Sequence, residues 1–163
     1  MKFFKNKTDD LFRWVKGTEL VELDDIDVSE DPVRPELTLG WRITKGRKIY
    51  GLKYQDEIEG IICIAYTNEV PHSVKELDMM SELVHMKKEQ PKIAIAYTVW
   101  SRKRGAGREI IQKVLDHAKD AGIERVVTLS PLTPMATHFH IRNGAKQISI
   151  NDTTQNFEYA IRS

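Results

Sequence analysis

From Lys92 to Ser130 the chain runs strand, loop, helix and strand without a break, and this succession constrains the fold more than any other stretch. The segment KIAIAYTVW is almost continuously apolar, the pattern of a strand buried on both faces, and RVVTLS is a second strand. Between them, from about Gly107 to Ala121, Ile110, Ile111, Val114, Leu115 and Ala118 form one helical stripe. Arg108, Glu109, Gln112, Lys113, Asp116 and Lys119 take the opposite face, and Gly122 supplies the stop. A strand, a helix and a strand in this order imply a right-handed parallel crossover.

The loop opening that helix reads SRKRGAG. Its glycines sit where the backbone turns from strand to helix and let amide groups point outward. A helix N-terminus adds partial positive charge, and Arg102, Lys103, Arg104 and Arg108 add full charges. Amides and side chains over residues 103–108, with Gly105, Ala106 and Gly107 among them, therefore suit a ligand with several phosphates. Lys plus Arg total 25 against 24 acids, a net charge of +1 that gives no global field for a polyanion. The anion site is local, and neither nucleic acid nor a membrane is an expected partner.

The preceding half reads differently. TDDLFRWVKG has the pattern of a short helix, capped by Thr8 or Asp9 and ended by Gly17. Residues 19–31 hold seven acids and no base, the composition of a solvated connection or of a surface that attracts a cationic acceptor. LTLGWRI, KIYGLKYQ and IEGIICIAYT read as an antiparallel meander with a hairpin turn at Asp56-Glu57. SVKELDMMSELVHMKK places Val74, Leu77, Met79, Met80 and Leu83 at roughly helical spacing. Towards the end, TPMATHFHIRNG reads as a short helix with Thr133 as cap, Pro134 in the first turn and Asn143-Gly144 at its close. AKQISI and NFEYAIR make two last strands.

These elements add up to an α/β (α+β) fold: a mixed, mostly antiparallel sheet of six to seven strands flanked by helices, in one domain over residues 1–163. Cys63, the only cysteine, lies in the apolar run IICIAY and reads as a small core residue in a reducing compartment. MKFFKNKTDDLFRW has no apolar stretch long enough for a signal peptide, so the expected location is cytoplasmic.

At Arg102, Gly105 and Gly107 the chain resembles the GNAT superfamily of acyl-CoA-dependent N-acetyltransferases, whose motif is Gln or Arg, then x-x-G-x-G or A, opening a helix. The element order resembles that superfamily over nearly the whole length. The resemblance implies acyl-CoA as substrate and an acceptor that is a small amine or a protein amine. It also implies two strands that splay apart to hold the pantetheine arm, with Tyr97 to Trp100 (Val99 included) and Thr128 to Ser130 as walls.

A narrower resemblance lies in VTLSPLTP, FHIRNGAKQISIN, NFEYAI and IEGIICIAYTNEVPHSVKEL, which look like the catalytic domain of malonyl-CoA decarboxylase, itself GNAT-folded. It places that family's catalytic Ser and His on Ser130 and His140. These 163 residues depart from it in three ways: no counterpart of its helical domain, a much shorter segment after Ser-Pro, and a glycine loop one residue tighter.

From the residues alone, Ser130 shares a strand face with Thr128, and the helix carrying His140 starts only a few residues later. A histidine between Phe139 and Ile141 is either a packed helix residue or an acid or base. His138 and His140 are two positions apart, about 200° around a helix, so no metal site is assigned. For amine acylation no base stands out; Glu57 and Glu59 are candidates by the habit of the superfamily. Three readings result: acyl transfer to an amine, malonyl-CoA decarboxylation using Ser130 and His140, and a non-catalytic CoA-binding module.

Overall fold

The computed structural model describes residues 17–161, and the helix expected over TDDLFRWVKG lies outside them except for its closing Gly17. Strands β1 (Glu19–Leu23), β2 (Lys48–Tyr54), β3 (Glu57–Thr67), β4 (Ile93–Ser101), β5 (Arg125–Thr128), β6 (Ser130–Pro131), β7 (Lys146–Ile150) and β8 (Thr154–Tyr159) form one eight-stranded sheet. Its order is β1-β2-β3-β4-β5-β8-β6, with β7 also on β8. Every pairing is antiparallel except that of β4 with β5.

Two apolar layers sandwich the sheet. On one face the expected stripe of helix α3 (Ala106–Asp120) is buried: Ile110, Ile111, Val114 and Ala118 pack over Leu52, Ile62, Ile64 and Phe157. Each large aliphatic side chain so placed stabilises the fold by roughly 2 kcal/mol. Gly122, at φ +76°, ends the helix as its position in the sequence predicts. On the other face Ile49, Ile61, Ile95, Val127 and Leu129 lie under Leu77 of α2 (Val74–Lys87), and Cys63 is buried there as expected. Helix α4 (Pro134–Arg142) has its Thr133 hydroxyl accepting from the Ala136 amide and Gly144 beyond its end.

Three local expectations are corrected. Residues 37–43 are not a strand: the Thr38 hydroxyl accepts from the Trp41 amide and starts a single helical turn, α1 (Leu39–Arg42). That turn buries Arg42 completely, against Asp31 at 2.7 Å. The acidic stretch 19–31 is only partly a connection. Its first residues form β1, because Leu20 and Leu23 reach the two apolar layers while Glu22 pairs with Lys48 across the strands at 3.1 Å. The β2–β3 turn is Gln55-Asp56, one residue before Asp56-Glu57, with Gln55 in the left-handed region at φ 55°. The helix expected over SVKELDMMSELVHMKK forms as α2, with Leu77, Ser81 and Val84 on its buried face and Met79 and Leu83 exposed.

Two irregularities open the sheet near the end of β4. Cys63 pairs with Thr98 and Ile64 with Ala96, so Tyr97 is an extra, bulged residue of β4. The parallel β4–β5 ladder ends at Ala96–Thr128, and Ser130 and Pro131 pair with β8 instead. β4 therefore continues past the ladder with one edge unpaired. Among the described residues no helix is long and apolar enough to cross a membrane.

Candidate active site

Where β4 loses its partner, a cavity of about 540 Å³ opens, within the ordinary range for small-molecule sites. One wall is β4 from Tyr97 to Ser101, and Val33 and Glu30 come from the loop after β1. Ser130 and His140 line it as well, and Gly107 is at the start of α3. Of the wall residues expected from sequence, Thr128 is fully buried and lies behind Ser130. The carbonyls of Tyr97 and Leu129 are already taken: Arg34 donates to them from Nε at 3.0 Å and Nη2 at 3.1 Å. That buried guanidinium closes the apex of the gap between the strands.

The basic loop divides into engaged and free groups. The amides of Arg102 and Lys103 donate to the Glu59 carbonyl, and that of Ala106 to the Lys103 carbonyl. Among the described residues the amides of Arg104, Gly105, Gly107 and Arg108 have no acceptor, as expected of a helix start. Gly105 is the cap at φ +87°, a conformation that costs other residues strain. Gly107 serves differently, by close packing: a Cβ there would lie 3.0 Å from the Phe139 ring and 3.1 Å from Ser101 Oγ. Arg102 is bound to Glu30 and Lys103 to Glu59, while Arg104 and Arg108 point into solvent. Of the donors expected over residues 103–108, four amides and the side chains of Arg104 and Arg108 have no partner among the described residues.

His140 is 6% exposed, stacked on Phe157 with ring centroids 5.2 Å apart, and its Nδ1 lies 2.7 Å from the Tyr159 hydroxyl. Burial lowers its pKa to about 4, so the imidazole is neutral at pH 7. Burial raises the Tyr159 pKa, so that hydroxyl keeps its proton. Ser130 Oγ is 2.8 Å from Thr128 Oγ1, which accepts the Phe157 amide at 3.1 Å. Ser130 and His140 meet at one cavity with no hydrogen bond between them. Of the two carboxylates named as bases, Glu57 is exposed next to the β2–β3 turn and Glu59 is buried against Lys103; neither lines the cavity. Glu30 does, although its surroundings in the sequence have the composition of a solvated loop. Tyr159 and Arg34 also escape a reading of the sequence; NFEY carries the tyrosine, but no signal marks its partner. No three His, Cys, Asp or Glu residues are grouped to hold a metal ion among the described residues.

A sheet that parts at its single parallel pair, with free helix-start amides beside the gap, defines the N-acetyltransferase fold. The chain belongs to the acetyltransferase (GNAT) family, whose profile matches residues 10–145. Solved structures agree on the fold. An acetyltransferase of Bacillus subtilis in complex with CoA aligns with a TM-score of 0.58 and 8% identity, over 86% of this chain and 95% of that one. A probable acetyltransferase of Staphylococcus epidermidis aligns at 0.56 and 14% identity, over 87% and 98%. Malonyl-CoA decarboxylase of Cupriavidus metallidurans aligns at 0.52 and 19% identity over 76% of this chain, which spans 33% of that protein's length. No curated protein sequence is significantly similar to the chain.

Proposed function

We propose that the protein is an acyl-CoA-dependent enzyme that transfers an acetyl or other acyl group to an amine. The carrying observation is the adjacency of four amides at the start of α3, without acceptors among the described residues, to a cavity that holds Ser130 and His140. The amides of Arg104, Gly105, Gly107 and Arg108, with the guanidiniums of Arg104 and Arg108, suit the diphosphate of CoA. The unpaired edge of β4 from Val99 to Trp100 suits the amides of its pantetheine arm, and Arg102 joins once it leaves Glu30. In transfer, the amine nitrogen bonds to the thioester carbonyl carbon, the C–S bond breaks, and the proton lost by the amine ends on the CoA sulfur. Glu30 is the carboxylate best placed to attract a cationic acceptor.

The meeting of Ser130 and His140 favours a second reading, decarboxylation of malonyl-CoA. There the bond to the carboxylate breaks, carbon dioxide leaves, and the electron pair passes to the thioester carbonyl oxygen until a proton adds to carbon. Donors from Ser130 and His140 would hold the charge on that oxygen. Cytoplasmic location is part of the proposal under either reaction.

Incubation with acetyl-CoA and malonyl-CoA, with and without a panel of amines, tests the reading by product mass spectrometry. Acylated amine and free CoA only when amine is present support transfer. Acetyl-CoA and carbon dioxide from malonyl-CoA alone support decarboxylation. CoA binding without turnover of any thioester overturns both and leaves a binding module.

A further inference from the structure

Two buried hydroxyls stand directly behind the two candidate catalytic groups. Thr128 is fully buried, accepts the Phe157 amide on Oγ1, and has Ser130 Oγ as the only other partner of that hydroxyl among the described residues. Were Ser130 to donate to Thr128, the Thr128 proton would be left inside the protein with no acceptor. The arrangement that satisfies every group is Thr128 Oγ1–H donating to Ser130 Oγ, which leaves the Ser130 proton directed to the cavity. Tyr159 repeats the pattern: it is 3% exposed and its hydroxyl has His140 Nδ1 as its sole partner among the described residues. If Nδ1 carried the imidazole proton, the tyrosine proton would be stranded in turn. With Tyr159 donating, the imidazole proton sits on Nε2, which has no partner among the described residues.

We propose that Thr128 and Tyr159 are positioning residues that fix the protons of Ser130 and His140, so that Ser130 Oγ–H and His140 Nε2–H both donate into the cavity. The inference rests on the acyl-CoA reading and deepens it. Two oriented donors at one cavity stabilise an oxygen that gains negative charge, the thioester carbonyl in either reaction, without reorganising when the charge appears. Burial keeps the imidazole neutral, so it offers a single hydrogen bond in a fixed direction. His140 is not poised as a base, because its one acceptor nitrogen, Nδ1, already receives the Tyr159 hydroxyl.

The test is nitrogen NMR of the histidine-labelled full chain together with steady-state kinetics. The wild-type His140 signals are expected to show the Nε2–H tautomer, and Tyr159→Phe to shift the ring towards Nδ1–H. Tyr159→Phe and Thr128→Val are expected to lower kcat about 10- to 100-fold, the usual effect of losing an outer partner, while KM for the acyl-CoA stays within about twofold. Thr128→Ser, which keeps the hydroxyl, is expected to restore most of kcat. An Nδ1–H tautomer in the wild type overturns the proposal, as does unchanged kcat in both variants. If the wild type turns over no acyl-CoA, the acyl-CoA reaction fails. The wild-type tautomer still decides the proton positions, Nε2–H upholding them and Nδ1–H refuting them. The same spectrum decides should Tyr159→Phe fail to fold.

Discussion

Glu30, which lines the cavity, holds Arg102, with Nη2 at 2.8 Å from Oε2 and Nε at 3.2 Å from both carboxylate oxygens. The pair is more than one-third exposed, so solvent screening limits its strength to about 1 kcal/mol or less. A diphosphate arriving at the start of α3 competes with Glu30 for this guanidinium. Glu30→Gln is therefore expected to tighten CoA binding by about two- to fivefold by calorimetry. Weaker binding in this variant would mean that the ion pair organises the site instead of restraining it.

Arg104 and Arg108 are exposed and have no partner among the described residues, so reversing their charge leaves folding contacts intact. Arg104→Glu with Arg108→Glu is expected to weaken CoA binding at least tenfold and to flatten its dependence on salt, with the thermal midpoint little changed. Gly107→Ala is a poorer probe of the same loop, because its methyl group collides with Phe139 before it meets any ligand. Equal affinity in the double variant would remove the phosphates from this loop.

Val114 lies 4% exposed between α3 and the sheet. Val114→Asp puts a charge into that layer and is expected to cost about 3 kcal/mol or more, against a change of under about 0.5 kcal/mol for Lys113→Ala on the flank. Urea denaturation of the two variants measures the difference. A Val114→Asp protein as stable as the parent would reverse the assignment of the helix faces.

The pKa of His140 falls from an ordinary 6.5 to about 4 on folding, through burial alone. Between those values the unfolded chain takes up a proton that the folded chain refuses. Stability is thus complete above pH 6.5 and declines as the pH drops towards 4, by about 3 kcal/mol at the lower end. His140→Gln is expected to flatten this part of the pH–stability curve. Urea midpoints measured between about pH 4 and 7 give the comparison, and parallel curves for the two proteins would show that His140 is protonated in the fold.

Much of this molecule can be read from the chain where local pattern and tertiary role coincide. The stripe of α3, its glycine stop, the Thr133 cap of α4 and the buried β4 all declare themselves within a window of about a dozen residues. Residues 37–43 mislead because Leu37, Leu39 and Trp41 alternate like a strand, while the determinant is a buried Arg42 whose partner Asp31 lies upstream. β1 is hidden by its charges, since Glu19 and Glu22 obscure the short run of Leu20, Val21 and Leu23 that pairs with β2. At the site, Ser130 and His140 are legible through likeness of motif. Thr128 beside Ser130 follows from strand alternation, whereas Tyr159 as the partner of His140 does not, because a hydrogen bond between α4 and β8 leaves no periodic trace in sequence.

The last strand, β8, is hydrogen-bonded to β5, β6 and β7 and contributes Phe157 and Tyr159 behind the site. On a ribosome it is made after every strand it joins. A nascent chain can close the β1–β4 meander and lay α3 on it, yet Val126 and Val127 keep an uncovered edge until residues 154–159 emerge. The wall behind Ser130 and His140, made of Phe157 and Tyr159, is therefore the last part of the site to be synthesised. Chains stalled or cut before Thr154 present an open β-sheet edge where β8 would lie.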